Sequence, residues 1–347
     1  MQDTKCFFFR FFAGILAGFG LLPVAEARDY VWKITTGSPL YVSEAQLWRN
    51  PGTHFSIHSE YVDGLVSREA PTYNQNQTVV TWETAGTMQV RPDKRDFRAG
   101  LLFRAGQVQV TTDNEAVGDQ PQYDREELRQ EEQEVAPFIW MPVGVNWSLS
   151  YRLHDVHVKG EHKYTAGGIA FRSPRFKGAY RVGSAGIMWA DPTREVTLSW
   201  RPGVRLENTR GRTIKPATLK IGARMEWIDG HLAEVLVEHR QRHWYYETDK
   251  SQMVYTMGWE WMMNGQNKYG LWGVWQPSSA RSAADITPDN MEKRSLRFAL
   301  RRNFENKGFF SAGLRLTTGS GTLRTEDRRE VFDSMVGAVV LAVVQRI

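Results

Sequence analysis

The chain has 347 residues, with 44 Lys and Arg against 39 Asp and Glu, and its net charge of +5 is too mild to argue for nucleic acid. With 41% hydrophobic and 12% aromatic residues, including 13 Trp and 12 Tyr, it holds too much buriable surface for a disordered chain. One cysteine, Cys6, excludes a disulfide scaffold and multi-cysteine zinc sites, and one long apolar run excludes a polytopic helical membrane protein.

That run opens the chain. Residues 1–27 read as a secretory signal peptide: Lys5 supplies the positive start, 7–24 is almost wholly apolar, and Ala25-Glu26-Ala27 gives a small-x-small cleavage pattern. Cleavage before Arg28 would leave a mature chain without cysteine and still at +5. Residues 28–52 are expected to form a periplasmic N-terminal extension or plug, with Ser43 as N-cap of a short helix through Glu44-Ala45-Gln46-Leu47.

From residue 53 to 347 the hydrophobic period is 2. Val143, Val145, Trp147, Leu149 and Tyr151 alternate with Gly144, Asn146, Ser148, Ser150 and Arg152. Val196, Leu198, Trp200, Val204 and Leu206 alternate with Thr197, Ser199, Arg201, Gly203 and Arg205, and Leu219, Ile221, Ala223, Met225 and Trp227 with Lys220, Gly222, Arg224 and Glu226. Strands are predicted at 53–66, 76–91, 96–112, 137–153, 156–171, 178–190, 194–206, 216–228, 231–246, 252–263, 267–276, 293–304, 308–318 and 334–345, about 14 in all within a range of 12 to 16. Most are long enough to cross a bilayer when tilted.

Tight connections at 154–155, 191–193, 229–230, 264–266 and 305–307 alternate with long ones at 113–136, 207–215, 277–292 and 319–333. Asp229-Gly230 and Asn264-Gly265 are hairpin pairs, because both residues tolerate positive φ. Short turns on one rim and long loops on the other, after a signal peptide, resemble a bacterial outer-membrane β-barrel of porin or channel type. The resemblance implies an all-β, antiparallel up-and-down transmembrane barrel in a Gram-negative outer membrane, with both termini on the short-turn, periplasmic side. It departs from that pattern at Ile347, where such barrels end in an aromatic residue. The 14-strand fatty-acid transporters are similar in strand count and in having an N-terminal plug, but no plug motif here carries their substrate over.

In such a barrel, Trp and Tyr collect where the apolar face meets the headgroups. Trp147, Tyr151, Trp200, Trp227, Tyr255, Trp259 and Trp261 share the apolar parity and are assigned to this girdle. The opposite parity then lines a pore with Arg98, Arg104, Arg201, Arg205, Lys220, Arg224, Glu226, Glu260, Arg297, Arg301 and Arg315. The excess of Arg and Lys predicts a channel or facilitated transporter for small, anionic solutes. The alternatives are a structural or adhesion barrel with a closed, salt-bridged lumen, and an outer-membrane hydrolase. Segment 113–136, with nine acids against Arg125 and Arg129, reads as a solvated external loop, with divalent-cation bridging to lipopolysaccharide or folding inward against the basic wall as the functional alternatives.

Asp155-Val156-His157, Asp229-Gly230-His231, His54-Phe55-Ser56 and the pair His239 and His243 are the only hydrolase-like or metal-like patterns. The two Asp-x-His patterns sit at tight turns on the periplasmic rim, His54-Phe55-Ser56 lacks the flanking pattern and the two His stand beside interfacial Trp244, Tyr245 and Tyr246, so no catalytic residue, metal ligand or cofactor is assigned. The partners implied are outer-membrane lipid and lipopolysaccharide, the barrel-assembly machinery and small solutes. The oligomeric state is left open.

Overall fold

The computed structural model describes residues 54–69, 73–90, 98–116, 124–172, 175–207, 212–215, 217–228, 230–243, 249–263, 267–277, 292–303, 309–325 and 328–346. The expected signal peptide and the segment 28–52 lie outside the described residues.

In chain order the strands are β1 (His54–Glu69), β2 (Tyr73–Val90), β3 (Arg98–Ala116), β4 (Arg125–Pro142), β5 (Trp147–Ala166), β6 (Ile169–Arg172), β7 (Phe176–Ala190), β8 (Arg194–Arg201) and β9 (Val204–Glu207). They continue as β10 (Arg212–Lys215), β11 (Ala217–Ile228), β12 (His231–His243), β13 (Asp249–Met263), β14 (Asn267–Gln276), β15 (Glu292–Asn303), β16 (Phe309–Thr325) and β17 (Arg328–Arg346). All pairings are antiparallel, and fourteen strands form a ring that closes through β1–β17 and β4–β5. The remaining three stand outside this ring of pairings: β6 folds back on β5, and β9 pairs with β10. The architecture is an up-and-down β-barrel, as the sequence predicts.

Burial gives the direction of each face. In β5, Ser148, Ser150, Arg152, His154, Val156 and Val158 are buried, whereas Trp147, Leu149 and Tyr151 are exposed. In β8, Glu195, Thr197 and Ser199 are buried while Val196, Leu198 and Trp200 are exposed. A soluble protein places these faces the other way round. The polar parity therefore faces the lumen and the apolar parity faces outward, as in a barrel whose solvent is lipid.

Four expected boundaries are corrected. The turn expected at 154–155 lies inside an uninterrupted strand, β5, while 137–142 of the expected strand 137–153 complete β4, and of segment 113–136 the described residues 113–116 and 125–136 are the end of β3 and most of β4. The tight turn is at 143–146, and residues 319–333 are nearly all strand, in β16 and β17. The count of fourteen survives because one strand gained at 125–142 replaces one lost at 154–155. The 156–171 reading also ran through a hairpin turn. Gly167 and Gly168 both have positive φ, 56° and 77°, the two-residue geometry that suits the twist between β5 and β6.

The rim holding the start of β1 and the end of β17 is here called lower. Its turn at 191–193 is held by Asp191, whose Oδ1 accepts the backbone N–H of Thr193 at 2.8 Å and of Arg194 at 2.6 Å. The Thr193 N–H and then the Arg194 N–H hold this carboxyl below the ordinary carboxylate range. Its contribution is therefore complete above the unfolded carboxylate value and is lost as pH falls through the lower folded value. Asp191→Ala is expected to lower the urea midpoint of unfolding at neutral pH. Equal midpoints for the two proteins at neutral pH would contradict this, and the difference should vanish in strong acid.

Candidate functional site

The lumen wall is built by alternation: every second residue of each strand enters it. On the β8–β14 arc the described inward charges are Arg201, Lys220, Arg224, Arg240 and Lys268 against Glu195, Glu226, Glu234, Glu238 and Glu260, five of each sign. Among the described residues, acids therefore stand beside the bases expected from sequence on this arc. Arg201, Lys220, Arg224, Glu226 and Glu260, assigned to the pore from sequence, share this face with Glu195, Glu234 and Glu238, which the sequence reading did not name and which β8 and β12 bring beside them.

The charges are paired across the ladder. Glu260, with no solvent exposure, lies 2.5 Å from Lys268 Nζ and 3.8 Å from Arg224 Nη2. Glu238 receives Arg240 Nε at 2.9 Å and lies 3.8 Å from Lys220 Nζ. Glu226 Oε1 accepts the Gly230 N–H at 3.1 Å and ties the lower turn to the wall. Charges buried this deeply survive only when matched, so the balance is a condition of folding the arc.

A second network joins β3, β4, β5 and β7. His154 Nδ1 is 2.5 Å from Glu134 Oε1, and its Nε2 is 2.7 Å from Ser184 Oγ. Arg104 holds the other Glu134 oxygen at 2.9 Å and also pairs with Glu132. Ser184, His154 and Glu134 have the order of a nucleophile, base and orienting acid, but acyl transfer also needs N–H donors converging beside the nucleophile. The backbone at Ser184 is in the β5–β7 ladder opposite Arg152. Read structurally, the network fastens β4 to β5 and β7.

Apolar side chains also face inward: Leu102, Phe138 and Trp140 on β3 and β4, Met188 on β7, Leu236 on β12 and Trp272 on β14 are all buried. Trp272 lies flat over Gly258 and Gly270, where an added Cβ would overlap its ring. Bare backbone at these two glycines makes the recess that accepts an indole on the inner wall. The sequence reading missed these aromatics because it took the lumen parity to be polar.

The other assigned residues divide three ways. Arg297 and Arg315 face inward and sit directly opposite each other in the β15–β16 ladder. Arg205 lies in β9, which pairs with β10 beyond the end of β8 at Arg201. Arg98, Arg301 and Trp227 lie in β3, β15 and β11, but their side chains fall outside the described residues, as does that of Arg205.

Trp147, Tyr151, Trp200, Tyr255 and Trp259 are exposed on the outer face, 48% and 52% for Trp147 and Trp200, and Trp261 stacks on Tyr269 at 5.7 Å. Tyr255 stacks on Trp275 at 5.5 Å. Trp261 and Tyr255 are six residues apart on β13, roughly 20 Å along the strand, which separates a lower from an upper aromatic belt.

Three solved structures share this architecture over nearly their full length. The Pseudomonas aeruginosa FadL homologue superposes with a TM-score of 0.64 at 10% identity, over 94% of this chain and 99% of that one. The fold is theirs. The Pseudomonas putida toluene transporter TodX gives 0.61 at 10% identity, over 87% and 92%, and the Ralstonia pickettii toluene transporter TbuX gives 0.61 at 12%, over 95% and 96%. No protein-family model matches the chain, and no curated protein matches it in sequence. What these neighbours share with it is the fourteen-strand barrel.

Proposed function

We propose that the chain is an outer-membrane channel that passes small apolar or weakly polar solutes, aromatic ones among them, by facilitated diffusion and without catalysis. The observation that carries this reading is the lumen wall: five acids offset five bases on the β8–β14 arc, and Phe138, Trp140, Leu236 and Trp272 add apolar surface to the same face. Sites for small organic molecules combine such surface with a few fixed polar groups. The barrel neighbours support it, being a FadL homologue and two toluene transporters. An outward apolar face between two aromatic belts supports the membrane location. Export through residues 1–27 and an extension or plug at 28–52 are parts of the same proposal.

One observation favours a second reading, the anion preference expected from sequence. Arg297 opposite Arg315 concentrates positive charge on the β15–β16 part of the wall. Planar-bilayer reversal potentials of the purified protein in a salt gradient separate the two readings. The balanced wall predicts a potential near zero, unchanged by Arg297→Glu. An anion-selective potential that reverses with Arg297→Glu and Arg315→Glu would replace the first reading with the second.

A further inference from the structure

The outer face of β15, β16, β17 and β1 changes character at the upper aromatic belt. Below the belt the outward residues are apolar and exposed: Leu296 and Phe298 on β15, Leu314 and Leu316 on β16, Val339 on β17 and Tyr61 on β1. At the belt the ladders set one row across the strands. Trp275 is opposite Arg294, Arg294 opposite Thr318, Thr318 opposite Met335, and Met335 opposite Leu65. Two residues further up, Glu292 stands opposite Ser320, and Ser67 is on the same face of β1.

The two upper rows line a cavity of about 480 Å³. Glu292 Oε1 accepts from Arg294 Nε at 2.9 Å and from Trp275 Nε1 at 3.3 Å, and Arg294 Nη2 lies 2.7 Å from the same oxygen. The charged side chains described in the lining are thus matched to each other, and the cavity offers no net charge to an ionic head. Both remain open to solvent, Glu292 at 34% and Arg294 at 74%. Thr318, Ser320 and Ser67 add hydroxyls, each able to donate and accept. Leu65 and Met335, both exposed, wall the other end, and the exposed ring of Trp275, stacked on Tyr255, adjoins the paired end.

An apolar groove of about 390 Å³ follows on the same four strands, lined by Tyr61, Phe298, Leu314, Leu316, Gly337 and Val339. It is continuous with the cavity: Leu296, Leu316 and Gly337 are each two residues below Arg294, Thr318 and Met335. Aromatic belts mark where the apolar face meets the headgroups, so the cavity is at head level and the groove at chain level. Matched charges, hydroxyls and apolar walls suit an uncharged polyhydroxylated ring, and the volume is within the usual range for small-molecule sites, about 300–1,000 Å³. We propose that this face of β15, β16, β17 and β1 binds a glycolipid of the outer leaflet with a neutral sugar head. The sugar hydroxyls bond Glu292 Oε2, Arg294, Thr318 and Ser320, its C–H face packs on Leu65 and Met335, and an acyl chain lies in the groove. The proposal rests on the outer-membrane reading for its level in the bilayer, and it is independent of what the lumen conducts.

The test is lipid binding by the purified, detergent-folded protein, read by native mass spectrometry with glucosyl diacylglycerol, diacylglycerol and phosphatidylglycerol as probes. The sugar lipid is expected to bind about tenfold more tightly than either of the others, the worth of one hydrogen bond to a charged group. Thr318→Val with Ser320→Ala should lower its affinity several-fold. Glu292→Gln should reverse the order of the probes, because it weakens the sugar lipid and releases Arg294 to hold the phosphate of phosphatidylglycerol. A folding defect produces no such gain. Heat-modifiable gel migration checks that each variant folds, and Ser320→Ala alone, an exposed side chain, serves if the double variant does not. Equal binding of the sugar lipid and diacylglycerol, tighter binding of phosphatidylglycerol by the parent, or variants that bind like the parent would overturn the site. Free glucose at the same concentration should leave the sugar lipid bound, and displacement would overturn the glycolipid assignment in favour of a soluble sugar. Recovery of the chain outside the outer membrane, with these affinities intact in detergent, would count against the location and not against the site.

Discussion

Trp272→Ala is expected to lower the stability of the folded barrel by about 3–5 kcal/mol, the range for deleting a fully buried large aromatic. Trp272 has no solvent exposure, and its ring covers the backbone of Gly258 on the neighbouring strand and of Gly270 on its own. Removing it leaves an indole-sized void against two residues that have no side chain to fill it. Urea titration followed by far-UV circular dichroism measures the loss, and a change below about 1 kcal/mol would show that the ring is not part of the packed wall. The reciprocal variants Gly258→Val and Gly270→Val should destabilise as well, because they push the ring out of its recess. A larger conductance in Trp272→Ala than in the parent would place the ring at the passage.

Glu260→Gln should cost a similar amount, about 3–5 kcal/mol, for an electrostatic reason. The carboxylate is the shared partner of Lys268 and Arg224, whose side chains are 7% and 8% exposed. The amide keeps the shape but takes the negative charge they share away from two buried cations. Lys268→Met added to Glu260→Gln removes one of those cations and should recover part of the loss. A double-mutant cycle gives the coupling directly: 0.5–3 kcal/mol is the usual size for contacting residues, and a value near zero would mean that the lumen charges are solvated and separate.

Much of the barrel is legible from alternation alone, and the misplacement of β4 and β5 has one physical origin. Period-2 patterning reports which face is apolar, and in a barrel that crosses a membrane this changes with height. On β5 the outward row turns from Tyr151 and Leu153 to Asp155 and His157, just as the inward row turns from Arg152 and His154 to Val156 and Val158. The phase inverts without any bend in the chain, and an inverted phase reads as a turn. That displaced β4 into a supposed loop and kept Glu134, His154 and Ser184 from being recognised as lumen neighbours. β11 and β13, which carry Arg224 and Glu260, hold one phase along most of their length.

The balanced charge of the β8–β14 arc was out of reach for a different reason. Glu234 and Glu238 are spaced like any exposed acids on a strand, and only the register with β11, which sets Glu234 beside Arg224 and Glu238 beside Lys220, gives them partners. Trp272 was hidden because an aromatic on the polar parity looks like an error in the pattern. Its signal was the glycine two residues before it, Gly270, and the glycine opposite, Gly258.

The central claim is a membrane-spanning barrel that lets small apolar solutes through. It is tested most directly by the initial uptake of a labelled monoaromatic hydrocarbon into Gram-negative cells that lack such a channel, with and without this chain. Outer-membrane recovery and heat-modifiable migration are confirmed in the same cells. The account predicts faster uptake in cells making the chain, with no matching rise for a small anion. Unchanged hydrocarbon uptake, with the folded protein present in the outer membrane, would contradict it.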